Sequence, residues 1–201
     1  MSVTNRVLSL ALAGIVFTPI AAAAQSPVTV GVKGGVNIAT LKFTGDEDNP
    51  DVKSQIGAVG GLFLSKQIND SVGWRLEGLF SQKGAKNAEQ SVEDLKFKLT
   101  YIDVPLLLTF GPSSSGDSRF NVFTGPQVSF NTKAEQDFNG VKTDLKDEVK
   151  SSDFGWVLGA GLEKGRLTAD ARYTLGLSNI ADSGGKVKNR VFAVMIGVKF
   201  K

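Results

Sequence analysis

From Arg166 to Leu177 the chain alternates without a break. Leu167, Ala169, Ala171, Tyr173, Leu175 and Leu177 share one face, and Arg166, Thr168, Asp170, Arg172, Thr174 and Gly176 share the other. Successive side chains of a strand point to opposite faces, so this segment reads as a strand with one apolar and one charged face. In a soluble sandwich the apolar face is core and the charged face meets water. In an outer-membrane barrel the apolar face meets lipid and the charged face fills the lumen. Eight segments carry strand patterning: Val28–Leu41, Gln55–Lys66, Val72–Lys83, Phe97–Phe110, Arg119–Asn131, Ser152–Lys164, Arg166–Ile180 and Arg190–Phe200. No long 3.6-period apolar stretch competes with them beyond the N-terminal run.

The connections alternate in length. Lys42–Ser54, Gly84–Lys96, Thr132–Ser151 and Ala181–Asn189 are long; Gln67–Ser71, Gly111–Ser118 and the turn at Lys164 and Gly165 are short. Long loops outside and short turns in the periplasm are the rhythm of a bacterial outer-membrane barrel. A soluble lipocalin-like barrel also has eight strands and is the alternative fold, but it has less reason to keep one strand face free of charge.

Even-numbered residues supply the apolar face of most strands: Val28, Val30 and Val32; Ile56, Leu62 and Leu64; Trp74, Leu76 and Phe80; Ile102, Leu106 and Leu108; Phe154, Trp156 and Leu158; Phe192, Val194 and Ile196. The opposite set holds Lys33, Asn37, Gln55, Arg75, Glu77, Asp103, Asn121, Gln127, Asp153, Glu163 and Lys199, together with Val59, Phe63 and Phe123. The lumen is therefore expected to be mixed and filled. In the fourth strand Lys96, Lys98 and Thr100 share parity with Ile102 and Val104, so either the strand projects beyond the membrane or a bulge shifts the register near Tyr101. Aromatic residues gather at the strand ends. Trp74, Phe110, Phe120 and Phe200 suit one interfacial belt, and Phe80, Phe130, Trp156 and Phe192 the other.

The N-terminus reads as a signal peptide over residues 1–24. Arg6 precedes an apolar run from Val7 to Ile20, and Ala21 to Ala24 offer a cleavage site before Gln25. Residues 25–201 form one barrel domain. With 20 acidic and 23 basic residues the net charge is +3, too small to argue for a nucleic-acid partner. There are no cysteines, so closure must come from the barrel and not from disulfides.

Several segments carry the remaining pattern. They are Gly31 to Asn37 on the first strand, Tyr101 to Leu108 on the fourth, Gly159 to Glu163, Tyr173 to Ile180, and a last strand ending Gly197 to Phe200. On these the chain resembles the outer-membrane β-barrel domain family typified by PorT-like, small porin-like proteins. The resemblance implies an all-β, eight-stranded antiparallel up-and-down transmembrane β-barrel in the bacterial outer membrane. It also implies contact with the barrel-assembly machinery during insertion, since the terminal strand carries Phe200. No single activity follows from it.

The chemistry of the chain is marked by absences. Without histidine there is no Ser-His-Asp triad and no His-based zinc or haem site, so an enzyme, a metal and a cofactor are not expected. Arg75, Glu77, Asp170 and Arg172 face the lumen and are the candidates for an ion-pair network in place of acid–base catalysis. The glycine clusters Gly57–Gly61 and Gly155–Gly165 follow no phosphate-loop pattern, and the acidic run from Asp46 to Asp51 lacks the EF-hand glycine and terminal glutamate. Lys186, Lys188 and Arg190 form a basic stretch at the outer rim, suited to lipopolysaccharide phosphates. The expected function is a structural or surface-interaction role, with a protein partner docking through the long loops. A narrow channel, or a component of a transport or secretion assembly, is the alternative, although eight strands leave an interior that side chains can fill.

Overall fold

The computed structural model describes residues 27–44, 52–87, 96–112, 118–138, 141–144, 150–178 and 186–200. The expected signal peptide, the acidic run after Thr44 and Lys201 lie outside them. The strands are β1 (Thr29–Thr44), β2 (Val52–Gln67), β3 (Val72–Asn87), β4 (Lys96–Phe110), β5 (Ser118–Phe138), β6 (Val141–Asp144), β7 (Ser152–Lys164), β8 (Leu167–Gly176) and β9 (Lys186–Phe200). All but the short β6 join one antiparallel ring, each long strand beside its neighbours in sequence. The ring closes where β1 meets β9, in register from Val30 opposite Phe200 to Thr44 opposite Lys186. Closure leaves the ring of eight long strands without an edge strand, and both chain ends of the barrel lie at the end with the short turns.

The faces follow parity. Ile56, Leu62, Leu158, Leu167 and Ile196 are exposed on the outer wall, while Lys33, Asn37, Arg75, Glu77, Asp103 and Asn121 are buried inside. A surface this apolar, wrapped around a polar interior, inverts the soluble arrangement and suits immersion in lipid. The aromatic residues of both belts that sequence parity places outward are on this wall, among them Phe110, Phe120 and Phe200 near one end and Phe80, Phe130, Trp156 and Phe192 nearer the other.

Every strand boundary that differs from the sequence expectation by more than one residue lies at the end with the long loops. β1 runs on to Thr44 and β3 to Asn87, where loops were expected from Lys42 and Gly84. β5 continues to Phe138 and pairs back on β6, inside the expected loop Thr132–Ser151. Beyond the apolar band a strand no longer needs an apolar face toward lipid, so the two-residue apolar signal fades while backbone pairing continues. β8 ends sooner, at Gly176.

The irregularity near Tyr101 is a bulge, and the extra residue belongs to β5. Thr100 pairs with Lys133 and Tyr101 with Asn131, leaving Thr132 unpaired. The Thr132 hydroxyl donates to the Thr100 carbonyl at 3.1 Å. β4 itself keeps strict alternation here, with Leu99, Tyr101 and Asp103 buried and Ile102 exposed.

Candidate functional site

Four inward side chains cross-link the middle of the lumen. Lys33 comes from β1, Glu77 from β3, and Asp170 and Arg172 from β8. The Lys33 Nζ donates to Glu77 Oε1 at 2.8 Å and to Asp170 Oδ2 at 2.7 Å. Arg172 donates to Glu77 Oε2 at 2.6 Å and Oε1 at 3.1 Å, and to Asp170 Oδ1 through Nε at 3.0 Å and Nη2 at 2.9 Å. All four carboxylate oxygens accept, and two cations balance two anions. The four side chains are at most 3% exposed. Charges taken so fully out of water persist only when paired and hydrogen-bonded in this way. In the ring of strands β3 and β8 stand on opposite walls, so the Glu77–Arg172 bridge spans the lumen.

Two phenylalanine rings adjoin this quartet. Lys33 lies 5.2 Å from the centre of the Phe63 ring, and Arg172 lies 5.2 Å from that of Phe123. Arg75 approaches both rings, at 5.6 and 5.7 Å. Cations within about 6 Å of a ring centre are attracted by its π-face, so the rings join the central charges to a second group nearer the short turns. There Arg75 Nη2 donates to Glu163 Oε1 at 3.0 Å, and Lys199 Nζ to Glu163 Oε2 at 2.8 Å. Toward the long loops Lys83 Nζ donates to Asp103 Oδ1 at 2.8 Å and sits 4.6 Å from the Tyr101 ring centre. Asn189 donates to Asp153 Oδ2 at 3.0 Å. Between these polar layers, Val59, Leu79 and Met195 form one buried apolar cluster and Leu107, Phe123 and Val157 another.

Of the four ion-pair candidates from sequence, the structure brings Glu77, Asp170 and Arg172 together. Arg75 shares a face with Glu77 but bonds Glu163 instead, while Glu77 accepts from Lys33 and Arg172. Parity places Lys33 inward but does not assign it to the network, and Lys83, Asp103, Glu163 and Lys199 add pairs that parity alone does not match. On the outer wall Lys188 and Arg190 are half-exposed, flanked along β9 by buried Asn189 and Val191. Arg190 sits opposite Thr40 of β1 and Leu175 of β8, one outward position beyond Phe192. The Lys186 side chain lies outside the described residues. Among the described residues, no group of three His, Cys, Asp or Glu side chains is placed to hold a metal ion.

Residues 23–182 match the family described as outer membrane protein beta-barrel domain. Among solved structures, Neisserial surface protein A is similar over 87% of this chain and 99% of its own, at 16% identity and a TM-score of 0.52. The outer membrane protein OprG from Pseudomonas aeruginosa is similar over 88% and 97%, at 13% identity and a TM-score of 0.50. Ail, the attachment invasion locus protein of Yersinia pestis, aligns over 86% and 98%, at 18% identity and a TM-score of 0.45. No curated protein matches the chain.

Proposed function

The chain belongs to the outer membrane protein beta-barrel domain family, and from that premise we propose that it is a non-enzymatic structural or surface-interaction protein of the bacterial outer membrane. The lumen is the observation that carries this reading. A neutral charge quartet bridges opposite walls, with aromatic rings and apolar clusters filling the neighbouring layers. An eight-stranded barrel has little interior to spare once such side chains occupy it, which weighs against the narrow-channel reading. What remains for recognition is the extracellular end, where loops on a rigid barrel are the usual carriers of binding. A protein partner would dock there.

Lys188 and Arg190, on the lipid-facing side beyond Phe192, suit the phosphates of lipopolysaccharide, with Lys186 as the third cation of that stretch. The terminal strand β9, ending in an outward Phe200, suits the barrel-assembly machinery. The finer kinship with PorT-like proteins rests on Tyr101 to Leu108 in β4 and on the segment from Tyr173 onward.

Planar-bilayer recording on the purified protein tests the closed lumen directly. Absence of stable unitary conductance is the expected result. A steady, large single-channel current would replace this reading with the channel.

A further inference from the structure

The periplasmic mouth of the lumen holds a cavity of about 250 Å³ whose charges do not balance. Among the described residues, Arg75, Arg119 and Lys199 line it against a single carboxylate, Glu163. This differs from the central quartet, where cations and anions match. The carboxylate is also already in use, because one oxygen accepts from Arg75 and the other from Lys199. The strand register sets Arg119 of β5 opposite Glu163 of β7. Even so, buried Arg119 Nε and Nη2, and Arg75 Nε, have no acceptor within hydrogen-bond distance among the described residues. Buried N–H groups of a guanidinium without acceptors are costly.

We propose that this cavity is a binding site for a small oxyanion of the phosphate class, reached from the periplasm. The guanidinium fork matches the tetrahedral or planar oxygens of such an ion and offers two parallel donors to it. Exposure grades along the cavity: the Arg75 side chain is 5% exposed, Glu163 16% and Lys199 23%. Arg75 is therefore the floor and Lys199 stands nearer the mouth. The floor is closed, because Arg75 lies against the Phe63 and Phe123 rings, with the central quartet beyond them. An ion that enters is held and returned to the same side, so the site binds without conducting. The volume admits inorganic phosphate or a single phosphomonoester head, and the phosphate has two sources: a free periplasmic ion or the headgroup of an inner-leaflet phospholipid bent over the rim.

The test uses the whole mature chain, folded in a neutral sugar detergent so that no detergent phosphate competes. Inorganic phosphate is titrated at constant ionic strength with chloride as the control, and the arginine side-chain Nε–H resonances are followed by NMR. A saturable one-site shift of the Arg119 resonance with phosphate and not with chloride is expected. Arg119→Gln should weaken binding by about tenfold or more, the loss that accompanies one charge-assisted hydrogen bond. Glu163→Gln should tighten it, since it removes the competing anion, an outcome that a purely structural role for these residues would not produce. A parallel arm embeds the barrel in nanodiscs of phosphatidylglycerol or of a phosphate-free glycolipid. A shift with the anionic lipid alone assigns the headgroup as source, and a shift with free phosphate alone assigns the ion. Linear, unsaturable shifts equal to those with chloride, or binding indifferent to Arg119→Gln in a variant that keeps the heat-modifiable band of the folded barrel, would overturn the proposal.

Discussion

The Phe63 ring lies across Gly31, its direct partner on the neighbouring strand. A Cβ at residue 31 would run into the Cζ of that ring and would stand 2.6 Å from the Val198 carbonyl oxygen. Phe123 covers its own ladder partner Gly159 in the same way. An aromatic ring laid over a strand glycine shields the bare backbone and pins the register. Here it also presents a π-face to the lumen cations.

Filling that space should therefore hurt. Gly31→Val is expected to lower barrel stability by about 1–3 kcal/mol, the usual cost of overpacking. Gly78→Ala, on the outer wall with nothing within 4 Å of the new methyl, should leave stability nearly unchanged. Urea-driven unfolding in lipid vesicles compares the two, and equal midpoints would contradict the packing described.

The depth of a residue in the bilayer sets a second expectation. Ile196 lies midway along β9 between Phe192 and Phe200 and is 71% exposed, whereas Leu175 is one residue from the end of β8. An arginine on the lipid face costs about 2–4 kcal/mol at the midplane and about 0–1 near an interface. Ile196→Arg should then impair vesicle folding strongly and Leu175→Arg weakly. The reverse order would move the membrane relative to the barrel. Thr174→Arg on the lumen face should also be costly, because Thr174 sits between buried Val157 and Val191.

The two-residue alternation made the wall legible in the sequence but left the lumen contacts hidden, and the reason is geometric. Parity tells which side of the sheet Glu77 or Lys33 occupies. It does not tell which strands face each other across the lumen or at what height, since both depend on closure and stagger of the whole ring. Arg75 illustrates this: two residues from Glu77 on the same face, it bonds Glu163 from another wall. Strand ends were legible on the periplasmic side, where the apolar pattern stops at tight turns such as Gly165 with its positive φ of 55°. On the extracellular side β5 reaches Phe138 without an apolar period to announce it. The disturbed alternation around Tyr101 did signal a bulge, yet the inserted residue, Thr132, lay on the partner strand.

The signal-peptide reading predicts processing after Ala24. Intact mass of the protein recovered from outer membranes should correspond to a chain beginning at Gln25 or within a few residues of it. Retention of Arg6 in the mature protein would contradict the reading.

Lys188 and Arg190 predict dependence on an anionic outer leaflet. Reversing both charges (Lys188→Glu with Arg190→Glu) should weaken association with lipopolysaccharide in a salt-sensitive manner, while folding into zwitterionic phospholipid vesicles stays near that of the unmodified chain. Binding of lipopolysaccharide that ignores the double reversal would remove these residues from the contact.

The last expectation concerns the lumen bridge. Glu77 holds Lys33 from β1 and Arg172 from the opposite wall at once. Its replacement by alanine leaves two cations facing one remaining carboxylate, Asp170, in a space that admits little water. Breaking a buried pair in this way costs about 3–5 kcal/mol. Glu77→Gln keeps the shape and retains acceptor capacity in its carbonyl oxygen, but not the charge, so its cost should be smaller than that of Glu77→Ala, though still measurable. The same change relieves the crossing itself. Lys33 and Arg172 then repel each other and lose the group that tied them across the lumen, so water gains a route past Phe63 and Phe123. Glu77→Ala should show both a lower unfolding midpoint and a small ion leak in planar bilayers, where the unmodified barrel is expected to be silent. Lower stability with no leak would show that the aromatic and apolar layers seal the lumen on their own, and the quartet would then be a structural clamp alone.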